Sequence, residues 1–190
     1  MTRHILKTIV AGDGGIGKTS IVRSFLGQTF SKDYKLTIGI DISTKTVLIN
    51  DASITFSIHD FAGQHRFADL KDVFMRGTQV ALFVFDLTRK DSLVNLRNQW
   101  VKPLAKQCPN VLCLLIANKS DLVDFRVFDE ETINKSFKEL QKDFPECSFI
   151  TYVETSARDH KNINHSFSML GQSFLNQQYN AITPVQNYMI

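Results

Sequence analysis

Eight residues near the amino end have the types and spacing to hold a chain of phosphates: Gly12-Asp13-Gly14-Gly15-Ile16-Gly17-Lys18-Thr19, the pattern GxxxxGK[ST]. Phosphate oxygens need several N–H donors converging on one point. Glycines let the backbone turn tightly and approach without a Cβ in the way. A helix that opens where the loop ends adds free N–H groups and the positive end of its dipole. Lys18 would set an ammonium against the outer phosphates, and Thr19 would offer a hydroxyl to Mg²⁺, a cation that prefers oxygen. Alone, this loop specifies only a nucleoside triphosphate. A small-molecule kinase or an ATPase fits it equally well.

A second segment, Asn118-Lys119-Ser120-Asp121, has the pattern NKxD. Guanine presents two donors, its N1–H and its 2-amino group, and the single carboxylate of Asp121 can accept both. Adenine offers neither and would leave that carboxylate desolvated and unpaired, so such a site rejects it strongly. Four residues of this kind also occur by chance in surface loops, and it is the position after an apolar strand that gives them weight. A third segment, Glu154-Thr155-Ser156-Ala157, follows the last apolar run, where the N–H of Ala157 could meet the O6 of the base. A helix-starting loop rich in Thr and Ser would read the same way.

These segments need elements that bring them side by side. Apolar runs alternate with helical patterns, the signature of an α/β fold with a mostly parallel sheet. Ile5 to Ala11 reads as a buried strand before the glycine-rich loop, and Thr19 to Leu26 as the helix after it. Val47-Leu48-Ile49 and Ile54-Thr55-Phe56 flank Asn50-Asp51, a hairpin turn, so one strand pair is antiparallel at the edge. Val80 to Phe85 and Val111 to Ala117 are continuous apolar runs suited to strands covered on both faces. Asp91 or Ser92 can cap a helix running towards Gln107, ended by Pro109. Glu130 to Phe144 reads as a helix stopped by Pro145, Phe149 to Val153 as the last strand, and Ile163 to Leu175 as the last helix. The expected fold is one P-loop NTPase domain over residues 1–178. It has a six-stranded, mostly parallel sheet with one antiparallel edge hairpin and helices on both faces. A polar, mobile tail is expected over 179–190.

The whole chain sets limits on this. Its 190 residues suit a single domain. A net charge of +3, from 22 basic and 19 acidic residues, is too small to argue for nucleic acid or an anionic membrane. Cys108, Cys113 and Cys147 are odd in number and lack CxxC spacing, which speaks against a disulfide framework or a zinc site and suits a reducing compartment. No apolar stretch is long enough to span a membrane, and the start lacks the apolar run of a signal peptide.

With its motifs in this order, the chain resembles the Ras superfamily of small GTPases. The run Thr37-Ile38-Gly39-Ile40-Asp41 is most similar to the Rab branch. The resemblance implies GDP and GTP as ligands, Mg²⁺ as cofactor, and slow hydrolysis of GTP. It implies that Thr37 reaches Mg²⁺ and the γ-phosphate. Phe30 would pack on the guanine and Tyr34 would close over the phosphates. Asp60 would hold Mg²⁺ through a water, Gly63 would meet the γ-phosphate with its N–H, and Gln64 would orient the attacking water. Gly14 is the small position where a side chain would crowd that glutamine. The nucleotide-binding set so implied runs from Gly12 through Ser20 and adds Phe30, Tyr34, Thr37, Asp60, Gly63, Asn118, Lys119, Asp121, Ser156, Ala157 and Arg158. Gln64, Lys18 and Thr37 would be its catalytic members, and Thr19, Thr37 and Asp60 its metal ligands. Phosphoryl transfer asks a protein for charge neutralisation and an aligned nucleophile, which this set can supply. No arginine lies inside the loop, and Arg23 and Arg66 fall on the following helix and in the second switch. Unassisted turnover is therefore expected to be slow, on the order of 10⁻⁴ per second.

The resemblance further implies effector, exchange-factor and GTPase-activating proteins as partners at the switch surface, and a monomer without nucleic acid. The sequence departs from the family in places. Phe61 replaces the usual threonine after Asp60, a packing change. His59 stands where Rab relatives usually carry tryptophan, on the expected partner-facing patch. His65 replaces an acidic residue, either as a solvated loop histidine or as a titrating neighbour of the attacking water. Arg158 replaces a frequent lysine, its stem able to pack on the base. Residues 124–128 add loop length. As written, the end holds no cysteine or basic cluster for prenylation, and Thr2 after Met1 excludes N-myristoylation. The expectation is a cytoplasmic protein with no direct lipid anchor, recruited to membranes through a partner; a truncated end would read the same way.

Overall fold

A computed structural model gives the fold, and it describes residues 2–30, 37, 39–61 and 73–182, with side chains through 179. Six strands form one sheet: β1 (Thr2–Ala11), β2 (Ile40–Ile49), β3 (Ala52–Phe61), β4 (Val80–Asp86), β5 (Leu112–Asn118) and β6 (Ser148–Glu154). Their order is β2-β3-β1-β4-β5-β6. Five strands run parallel, and β2 pairs antiparallel with β3, from Ile40↔Phe61 to Ile49↔Ala52. The turn between them is Asn50-Asp51, with Asn50 at φ 51, a left-handed position that asparagine tolerates. The expected hairpin is present, with strands several residues longer than the apolar triplets suggest.

The continuous apolar runs sit where both faces are covered. Every residue of β4 and of β5 is buried. On one face lie α1 (Lys18–Phe25) and α5 (Ile163–Ile182). There Phe25 stacks on Phe167 and meets Phe56 edge-on, inside a core that includes Leu6, Val10, Ile54 and Leu170. On the other face lie α2 (Lys90–Leu96), a π-helical turn over Arg97–Val101, α3 (Lys102–Gln107) and α4 (Glu130–Asp143). That core gathers Ile9, Phe83, Phe85, Trp100, Leu104 and Ile133. Transferring such apolar surface out of water, at about 25 cal/mol per Å², holds both layers to the sheet.

Three local details differ from expectation. Neither Asp91 nor Ser92 caps α2, which begins at Lys90 after an extended Arg89. The Ser92 hydroxyl instead accepts from the Asp86 amide at 3.0 Å and donates to the Arg89 carbonyl at 2.6 Å. The helix towards Gln107 is broken by the π turn, which keeps Trp100 and Val101 buried before Pro103 enters at the start of α3. The last helix runs seven residues past Leu175 to Ile182, across the domain boundary expected at 178. Asp129 caps α4, its carboxylate accepting the Thr132 amide at 2.7 Å. The three cysteines are free and buried. No helix among the described residues is long and apolar enough to cross a membrane.

Candidate functional site

The carboxyl ends of the five parallel strands carry the polar segments the sequence singled out. After β1 comes the glycine-rich loop. At two of its glycines a Cβ would collide with neighbouring atoms. Gly12 has φ 147, and a Cβ there would lie 2.2 Å from the carbonyl oxygen of Val84. Gly17 has φ 97, and a Cβ there would lie 2.4 Å from Asn118 Nδ2. The loop therefore folds flat against β4 and against the NKxD segment.

The loop's carbonyls are turned to specific donors. Asp13 O accepts from Lys18 Nζ at 2.6 Å, and Gly14 O from Arg89 Nη1 at 2.9 Å. Ile16 O accepts from Asn118 Nδ2 at 2.8 Å, and Gly17 O from the Ile21 amide at 2.9 Å. Among the described residues, no acceptor meets the N–H groups of Gly14, Gly15, Ile16 or Gly17. Four unmet amides beside a lysine that is only 6% exposed make a cradle whose chemistry fits an anion. Ser20 lies in the first turn of α1.

At the end of β3, Asp60 is 2% exposed. Its Oδ2 accepts from Thr19 Oγ1 at 2.5 Å, and Thr19 Oγ1 lies 2.8 Å from Thr37 Oγ1. Its other oxygen, Oδ1, is buried without a hydrogen-bond partner among the described residues. Burial pushes the carboxyl from the ordinary 3.8 up to about 6, against the Thr19 hydroxyl and the charge of Lys18, which pull it down. A carboxylate with an open oxygen beside two hydroxyls fits a hard divalent cation. Among the described residues no cluster of three or more His, Cys, Asp or Glu could hold a metal ion. A cation here would thus complete its shell with water and ligand oxygens, the habit of Mg²⁺.

Asn118, at the end of β5 and 1% exposed, joins three loops. Its Nδ2 donates to Ile16 O, while its Oδ1 accepts from Thr155 Oγ1 at 3.1 Å and from the Ala157 amide at 3.3 Å. The Ala157 N–H, expected to face the base, is turned to Asn118. Lys119 adopts φ 67 and pairs with Asp86 Oδ2 at 2.7 Å. Asp121 Oδ1 accepts from Ser156 Oγ at 2.8 Å, and Asp121 Oδ2 lies 3.8 Å from Arg158 Nη1. Phe30 is 37% exposed.

Sequence reasoning missed Asp86, Arg89 and Asn95. Asp86 is fully buried and receives both the amide and the hydroxyl of Thr88 at 2.9 and 2.7 Å. A lone acid closing the apolar run Val80–Phe85 is a signal that could have found it. Asn95 Nδ2 donates to Asp13 Oδ2 at 2.8 Å from across the sheet edge, which no local pattern announces. Tyr34, Gly63, Gln64, His65 and Arg66 lie outside the described residues.

The description "Ras family" belongs to the family model that matches residues 7–176. A protein named "Ras-related protein Rab-1" from Theileria annulata is 33% identical over 184 residues, covering 95% of this chain and 80% of that protein. Its namesake from Theileria parva is 32% identical over the same coverage. The chain belongs to the Ras family. It is a Rab-like small GTPase in that general sense, a guanine-nucleotide switch by family.

Within this Ras-family fold, two of the unusual neighbours of Asp60 are accounted for. Phe61 is 2% exposed and meets Trp100 edge-on at 5.9 Å, so the aromatic is a packing residue, as expected. His59 is not on an outward patch. It is 9% exposed and lies 6.2 Å from the ring of Phe74. Burial, then the charge of Lys7, lowers its pKa.

Proposed function

We propose that this chain binds GDP and GTP with Mg²⁺ and hydrolyses GTP slowly, signalling through the loops around Thr37 and Gln64. The observation that carries the reading is the joint at Asn118, which bonds the NKxD segment to the phosphate loop on one side and to the loop of Ala157 on the other. A ligand with phosphates at one end and a guanine at the other matches that pairing.

In this reading the amides of Gly14, Gly15, Ile16 and Gly17, with Gly12 and Asp13 shaping the turn, hold the phosphates. Lys18 adds its ammonium, and Ser20 extends the set into α1. Asp121 accepts from guanine, with Lys119, Ser156, Ala157 and Arg158 around the base and Phe30 and Tyr34 over the nucleotide. Thr19, Thr37 and, through a water, Asp60 would hold Mg²⁺. Bound there, Mg²⁺ supplies charge neutralisation at the outer phosphates. Gly63 and Gln64 keep the roles the family pattern implies, at the γ-phosphate and at the attacking water. Thr37 shares one oxygen cluster with Thr19 and Asp60, so a ligand bound there also ties down the segment that carries Thr37. Effector, exchange and GTPase-activating proteins would read that segment. We place the GTPase domain at residues 1–178, extended by the last helix to Ile182, in a cytoplasmic monomer.

The test is the nucleotide that co-purifies, followed by competition and single-turnover phosphate release. Bound GDP or GTP, displaced by GTP but not by ATP, is expected. Phosphate release should be slow and should fall further in Gln64→Leu. ATP competing as well as GTP would sink the guanine assignment, and equal release from both proteins, with and without activators, would sink hydrolysis.

A further inference from the structure

Arg89 reaches the phosphate loop from 75 residues downstream. Its backbone is held from both sides. The Arg89 amide donates to Asp86 O at 3.0 Å, and its carbonyl accepts from the Ser92 hydroxyl at 2.6 Å. Its side chain, 43% exposed, places Nη1 2.9 Å from Gly14 O and Nη2 3.4 Å from Asp13 Oδ2. The same Asp13 oxygen accepts from Asn95 Nδ2 at 2.8 Å.

Gly14 and Gly15 are adjacent glycines, so the peptide between them turns at little steric cost. A trans peptide points its carbonyl and its N–H in opposite directions. A guanidinium that draws the Gly14 carbonyl outward therefore aims the Gly15 N–H inward, into the cradle. A flipped peptide would present an oxygen to a phosphate instead. The neighbouring Asp13 carbonyl bonds the Lys18 ammonium, so this peptide sits at the end of the loop where the charge for the outer phosphates lies.

We propose that Arg89 is a positioning residue for nucleotide binding: it clamps the Gly14–Gly15 peptide so that the loop is preorganised for the outer phosphates of a nucleoside di- or triphosphate. The inference rests on the nucleotide reading above. Only a planar fork can span the Gly14 carbonyl and the Asp13 carboxylate together, so lysine is a poor substitute. A charge-assisted bond at a half-exposed position is worth about a five- to tenfold change in affinity.

The experiment measures Kd for GMP and GDP with wild type, Arg89→Ala, Arg89→Lys and Asn95→Ala. Thermal melts confirm that each variant folds. In both Arg89 variants the preference for GDP over GMP should fall about five- to tenfold, with GMP affinity nearly unchanged. Asn95→Ala should melt earlier and keep the wild-type preference. An unchanged GDP-to-GMP ratio in Arg89→Ala, or full rescue by lysine, overturns the clamp. Equal losses for GMP and GDP also overturn it and leave Arg89 as a staple between α2 and the loop. Failure of wild type to bind GDP at all would instead strike the nucleotide reading itself.

Discussion

Removing the charge of Asp60 should stabilise the empty protein while harming the loaded one. The carboxylate is 2% exposed, has one oxygen without a partner among the described residues, and has its pKa pushed up from 3.8 to about 6. Burial is the main cause, and Asp41 adds a like charge. Each tenfold in proton affinity is worth 1.36 kcal/mol. Between 3.8 and about 6 the penalty for holding the charge thus reaches about 3 kcal/mol. The folded state binds this proton more tightly than the unfolded chain does. The stabilisation is therefore complete below pH 3.8 and is lost as pH rises through about 6. Asp60→Asn removes the titration with almost no change in shape. In protein stripped of nucleotide and held in chelator, we expect Asp60→Asn to be more stable than wild type by about 1–3 kcal/mol at pH 7.5, with the gap shrinking to about a third of that near pH 4.5. Urea unfolding at the two pH values measures this. With GDP and Mg²⁺ added, the order should reverse, because only wild type gains from the cation. The reasoning fails if the stripped variant is no more stable than wild type at pH 7.5, or if the gap is the same at both pH values.

Three further outcomes follow from the packing. Trp100 is the single tryptophan and touches Phe61, the neighbour of Asp60. Its emission should change when Mg²⁺ is removed from the nucleotide-bound protein, and an emission spectrum blind to chelator would contradict that coupling. Asn118→Ala deletes three bonds to two neighbouring loops at a buried site, so it should cost about 2–4 kcal/mol in urea unfolding and speed GDP release by tenfold or more; wild-type values in both would remove Asn118 from the centre of the site. Burial, then the charge of Lys7, lowers the pKa of His59 below the ordinary 6.5, so its contribution is present above pH 6.5 and lost as pH falls below it. Relative to wild type, His59→Phe should gain stability between pH 7.5 and 5, and a pH-independent difference would count against a buried neutral imidazole.

Much of the architecture was legible because it follows from local chemistry. The runs Val80–Phe85 and Val111–Ala117 are apolar at every position, which suits a strand covered on both faces, and both are fully buried. Asn50-Asp51 is a turn because asparagine accepts a positive φ. The place of His59 was not legible: the resemblance put it on a partner-facing patch, but a strand position does not say what packs over it, and here the ring of Phe74 lies beside it. The end of the last helix was equally hidden, since the chain from Tyr179 looks like a polar tail until α5 is seen to run on to Ile182.

The least legible part was the set of bonds that makes separate motifs one site. Gly17, read as a phosphate-loop glycine, is also required because Asn118 Nδ2 occupies the space of its Cβ. Asn118, read as a member of the nucleotide-binding set, spends its amide on Ile16, Thr155 and Ala157. Lys119 ends on Asp86, and Gly14 on Arg89, partners that no spacing rule connects. A motif states which groups the chemistry needs. The fold adds groups that touch no ligand and fix the angles of those that would. Such partners are drawn from any strand end that reaches the same edge, so their sequence separation carries no signal, and single-residue surprises such as a buried Asp86 are where they surface.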